Sequence, residues 1–109
     1  MLAPAPGYKA FDLSPTFDTK VMMIDFRLRS GRIHTLPYFS LASIQFEPSS
    51  RITLAFGNTL VTLLGRNLDK LRAQLVLHGV VFVQEAFDGQ GRLLGDAAEV
   101  VERIEIVVA

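Results

Sequence analysis

Residues 44–64, IQFEPSSRITLAFGNTLVTLL, decide the fold class. Ile44 and Phe46, then Ile52, Leu54 and Phe56, then Val61 and Leu63 recur at alternate positions, the period of strands with one buried face. A Pro- and Ser-containing loop from Glu47 to Arg51 and the pair Gly57, Asn58 separate the runs. Glycine first in a two-residue connection suits a type II′ hairpin, which sets Phe56 opposite Thr59. Pairing Phe46 with Ile52 also pairs Ile44 with Leu54, and Val61 and Leu63 join the same inner face. Leu60 and Leu64 point to the second face, which is expected to be covered by a helix or a partner chain.

Toward the N-terminus, Met22, Ile24, Phe26 and Leu28 alternate with Asp25, Arg27 and Arg29, a half-buried strand. Ser30 and Gly31 then offer a two-residue turn, placing Leu28 opposite Ile33 and Arg27 opposite His34. Pro37 cannot donate to a ladder, so the next strand is expected to stop near Leu36, with residues 37–41 bridging as one helical turn. Residues 1–19 carry Pro4, Pro6, Gly7 and Pro15 without either period and are read as an irregular arm, tied down by Phe11, Leu13 and Phe17. Residues 20–109 are read as one domain.

Toward the C-terminus, Leu68, Leu71 and Leu75 form a helical stripe. Asn67 is placed as the cap of a helix over about 67–78, and Gly79 as its left-handed stop. Val80 to Val83 read as a buried strand, residues 88–92 as a turn, and 96–102 as either a short helix or a strand. Arg103 to Val108 close the chain as a strand with Ile104, Ile106 and Val108 on one face. The class is therefore α+β: an antiparallel β-meander or partly closed barrel with one main helix.

Eleven lysines and arginines balance eleven aspartates and glutamates, so no global field draws in nucleic acid or an anionic membrane. Cysteine is absent, which excludes disulfides and thiolate chemistry. No run approaches the ~20 apolar residues of a membrane helix and no leader is evident at the start, so a cytoplasmic place without membrane contact is expected.

The basic residues Arg27, Arg29, Arg32 and His34 would be gathered on one hairpin face by the turn at Ser30 and Gly31. Arginines opposite one another repel, and an anion could offset that through bidentate contacts. Gly89, Gly91 and Gly95 are spaced one residue too long for a dinucleotide loop and read as turn glycines. His34 and His78 lack carboxylates at ligand spacing, so no metal is assigned; His78 instead suits a helix C-terminus. Glu85 and Asp88 are the only carboxylate pair that invites acid–base chemistry, and a strand exit normally leaves such groups in solvent. No serine sits in a nucleophile elbow. The Pro37, Tyr38, Phe39 bridge is apolar enough to dock a partner, but is read as folding back over the sheet.

Without a catalytic constellation or an implied cofactor, the reading is a non-enzymatic binding or assembly module that self-associates. Its interface candidates are Ile104, Ile106, Val107 and Val108, because an unguarded apolar strand at a sheet edge tends to acquire a neighbour. The alternative is a binder of an anionic ligand or nucleic-acid phosphate through Arg27, Arg29, Arg32 and His34.

Overall fold

The computed structural model describes residues 8–15, 21–87 and 90–109. It contains β1 (Phe11–Leu13), β2 (Met23–Arg27), β3 (Ile33–Pro37), a 3-10 turn (Tyr38–Ser40), β4 (Leu41–Glu47), β5 (Arg51–Phe56), β6 (Thr59–Arg66), α1 (Asp69–Val76), β7 (Val80–Gln84), the one-turn α2 (Gln90–Leu93) and β8 (Val100–Val108). This is an α+β arrangement of two four-stranded sheets, in the orders β1-β7-β2-β3 and β4-β5-β6-β8, and not a closed barrel. Every pairing is antiparallel except β2 with β7. Among the described residues no helix is long and apolar enough to cross a membrane.

The stretch 44–64 forms the meander that its alternation implies. Ile44 pairs with Leu54, Phe46 with Ile52 and Phe56 with Thr59. Ile52, Leu54, Val61 and Leu63 are wholly buried on the inner face. Pro37 ends β3 and the turn at Tyr38–Ser40 follows it, as its missing amide requires.

The β2–β3 hairpin departs from the expected register by one residue. The Leu28 carbonyl accepts from the Gly31 amide (2.9 Å), and the Leu28 amide donates to the Arg32 carbonyl (2.8 Å). Gly31 sits at φ +96°, so Arg29, Ser30 and Gly31 form a three-residue loop closed by a glycine bulge rather than a two-residue turn. Arg27 consequently faces Ile33, and Phe26 faces His34. Because side chains alternate, that slip exchanges the faces of all of β3.

Three further expectations are corrected. Residues 11–13, expected to be irregular, add to β7 as a short strand. Asn67 does not cap α1: it lies at φ +56°, a conformation asparagine tolerates, and its Nδ2 donates to the Asp96 and Ala98 carbonyls at 2.8 Å each. With Arg66, which donates to the Leu94 and Gly95 carbonyls, it fixes residues 94–98 as a turn, and Val100 begins β8. His78 rather than Gly79 takes the left-handed position after α1 (φ +57°). The Gly79 amide donates to the Gln74 carbonyl and the His78 amide to the Leu75 carbonyl, a Schellman closure.

One core joins both sheets through α1, whose Leu71 and Leu75, with Leu68 just before it, are fully buried. Phe26 from the first sheet meets Phe56 from the second edge to face, with centroids 5.9 Å apart. β8 ends up at an edge of the second sheet, paired only with β6.

Candidate functional site

The one-residue slip disperses the basic group expected on the hairpin. Arg27 lies on the outer face of the first sheet with its guanidinium 3.8 Å from the centroid of the Phe82 ring. Arg32 is exposed at the turn and His34 opposes Phe26, so neither stands beside Arg27. Arg29 turns away toward the second sheet, where its Nη2 donates to the Glu102 carbonyl.

The partner that draws Arg29 is Glu85, the one buried charged residue of the described chain. Glu85 follows β7, and its amide donates to the Arg27 carbonyl (2.8 Å). Its Oε1 accepts from the Arg29 amide (2.8 Å), with Arg29 Nε 3.6 Å away, and its Oε2 accepts from the Ile104 amide (2.9 Å). Two amides and one guanidinium thus surround a carboxylate removed from water, the condition under which a buried charge is tolerated. The Ala86 amide donates to the Val101 carbonyl (2.8 Å). Together these bonds form a bracket from the first sheet onto the outer edge of β8. Sequence reasoning placed Glu85 in solvent at a strand exit; its burial carries no local signal, because its partners Arg29 and Ile104 are distant in sequence. Asp88, its proposed acid–base companion, lies outside the described residues, as do Phe17 and Gly89.

The bracket divides the β8 edge into a covered half and an open half. Since the Ile104 amide points away from β6, alternation places the Ile104 carbonyl, both Ile106 groups and both Val108 groups on the same outward side. Among the described residues nothing takes these groups. Of the four interface candidates, Ile104 is only 7% exposed and belongs to the core, Ile106 is half-buried, and Val107 and Val108 are exposed. Leu60 pairs with Val107 on the outer face and is also exposed, so the second face of this sheet stays uncovered at that end. Leu64 instead lines a cleft of about 660 Å³ with Arg29, Glu85, Glu102, Arg103 and Ile104, where the bracket meets the open edge.

One tyrosine reinforces the bracket and a second ties the bridge after β3 to β7. The Tyr8 hydroxyl accepts from the Val101 amide (2.9 Å) and donates to the Gln84 carbonyl (3.2 Å), linking β8 to β7. Burial pushes its phenol up to about 12, partly opposed by the Val101 bond, with the charge of Glu102 adding slightly. Tyr38, in the bridge after β3, is buried and donates to the Val80 carbonyl (2.8 Å), while Phe39 beside it is 85% exposed. Burial raises the Tyr38 phenol further still. The Tyr38 ring stacks on His78 at 4.5 Å, so His78 serves both the end of α1 and this contact.

Both shifts favour the neutral phenol in the folded chain. Their contribution is complete below pH 10, the ordinary tyrosine value, and disappears as pH rises through the folded values. The urea midpoint should therefore hold steady to about pH 9.5 and fall between pH 10 and 12, less steeply in Tyr8→Phe. A midpoint unchanged at pH 12 would contradict this placement of the phenols.

Among the described residues no three histidine, aspartate or glutamate side chains gather as a metal site would need. No family model matches the chain, and no curated protein and no solved structure matches it either.

Proposed function

We propose that this chain is a non-enzymatic assembly module that pairs with a second copy of itself along the open half of β8. The observation that carries this reading is the run of unfilled outward backbone groups of Ile106 and Val108, flanked by exposed Val107, Val108 and Leu60. Such an edge is a template for another strand, and no proline, lysine or bulge blunts it beyond Ile104.

The edge is self-complementary in an antiparallel register centred on Val107. Ile106 of one copy then exchanges both backbone bonds with Val108 of the other, and Val107 meets its own copy where side chains approach closest. A register centred on Ile106 sets each Val107 against a Glu105. One centred on Glu105 opposes two like charges, and one centred on Arg103 needs groups that Glu85 and Arg29 already hold. Two sheets would thus become one continuous eight-stranded sheet around a twofold axis. A contact this short lies at the small end of specific interfaces, so micromolar affinity is expected.

Light scattering on the natural chain should give about twice the 12.0 kDa chain mass at submillimolar concentration. Ile106→Lys with Val108→Lys should return it to the monomer, and so should Val107→Lys alone, whose exposed position spares the core. A natural chain that stays monomeric at submillimolar concentration, or a dimer indifferent to Val107→Lys, overturns the proposal.

A further inference from the structure

Arg27 raises a separate question, independent of the assembly reading: what its guanidinium is for. Stacking on Phe82 holds it in place and its Nε is sealed from solvent, so only its terminal nitrogens can meet a ligand, and among the described residues nothing bonds them. Among the described residues no carboxylate comes within 4.0 Å of it, although the chain has as many acidic as basic residues. A guanidinium whose terminal donors lack an acceptor in the chain is available to an outside one.

Beside it opens a cleft of about 250 Å³, lined by Arg27, Leu28, Ile33, Gln84 and Phe87 together with the bracket residues. Glu85 at its base does not cancel Arg27, because both its oxygens are taken by amides and its charge is matched by Arg29. Among the described lining residues the two arginines outnumber the one carboxylate, and Arg27 carries a planar fork that suits two oxygens of one acceptor. The rim is apolar, with Ile33 54% and Phe87 62% exposed.

We infer that the cleft beside Arg27 binds a small organic carboxylate whose apolar body lies against Ile33 and Phe87. A single unmatched arginine suits one negative charge better than the two of phosphate, and the apolar rim favours hydrocarbon over a bare ion. At about 250 Å³ the cleft is smaller than typical drug-sized sites, which limits the ligand to roughly the size of benzoate. This keeps one member of the basic group read from the sequence and discards the other three as direct ligands.

The test is a titration of the natural chain with benzoate, followed by backbone amide shifts. Saturable shifts should centre on Arg27, Ile33, Gln84 and Phe87 and weaken with added salt. Arg27→Gln should bind at least about tenfold more weakly, as loss of a charged hydrogen-bond pair requires, while Arg32→Gln binds as the natural chain does. Benzamide, the neutral analogue, should bind as poorly as benzoate does to Arg27→Gln. Phe87→Ser, at an exposed position that leaves the fold alone, should also weaken binding and serves if Arg27→Gln unfolds. Shifts scattered over the surface, equal binding by Arg27→Gln, or equal loss in Arg32→Gln would overturn the site. Displacement of benzoate by an equal concentration of inorganic phosphate would overturn the choice of carboxylate.

Discussion

Gly65→Ala should destabilise the chain by more than about 3 kcal/mol, the largest effect expected of any single methyl group here. Gly65 stands in β6 where the ladder with β8 shifts register, between Leu64 and Gly65. A Cβ built there would overlap the Val100 carbonyl oxygen and lie 3.1 Å from the Val101 Cα. Both neighbours are backbone, so no rotamer change makes room, and β6 and β8 would have to separate where Tyr8 and the Ala86 amide also hold Val101. Gly95→Ala is the control, since nothing lies within 4 Å of its position and a change within about 0.5 kcal/mol is expected. Urea unfolding of both variants decides it, and a Gly65→Ala loss under about 1 kcal/mol would mean that the strand shift is wrongly described.

Glu85→Ala should cost about 3–5 kcal/mol, because it strands the Arg29 and Ile104 amides without an acceptor and removes a buried carboxylate that lies beside the Arg29 guanidinium. Glu85→Gln keeps one acceptor oxygen and should fall between. Glu102→Ala is the contrast, because Arg29 uses only the Glu102 backbone carbonyl and the side chain is exposed. Hydrogen exchange supplies an independent readout: the Arg29 and Ile104 amides should exchange faster in Glu85→Ala at equal global stability, while the Ala55 amide in the β5 ladder should not. Unchanged exchange at Ile104 would remove the bracket.

The meander could be read from the sequence because each of its signals is local. A Gly-Asn pair between alternating runs fixes loop length and register together, and Phe56 opposite Thr59 follows without knowledge of the rest. At Ser30 and Gly31 the same reasoning failed by one residue. A glycine suits the second position of a two-residue turn and the bulge of a three-residue one alike, and the choice decides whether Ile33 or Leu36 shares the inner face with Ile24 and Phe26. The basic group depended on that register, so it dispersed with it. Val80 to Val83 announced a buried strand, yet four apolar residues without a period do not say which sheet they enter. The same holds for Arg103 to Val108: a strand was legible, whereas its edge position depends on β7 having joined the other sheet. Glu85 was hidden for a related reason, since a carboxylate is buried by partners that arrive from elsewhere in the chain.

The parallel pairing of β7 with β2 also sets an order of events during synthesis. The β2–β3 hairpin leaves the ribosome with Ile24 and Phe26 on one face, but it ends at Pro37 and the strand that completes its sheet begins only at Val80. At about 5–20 residues per second that is an interval of several seconds, whereas a β-hairpin forms in microseconds. The second sheet can build β4, β5 and β6 from neighbours in sequence within that interval. In the finished fold Phe26 meets Phe56 across the two sheets, so the hairpin has a contact with the second sheet that does not depend on β7.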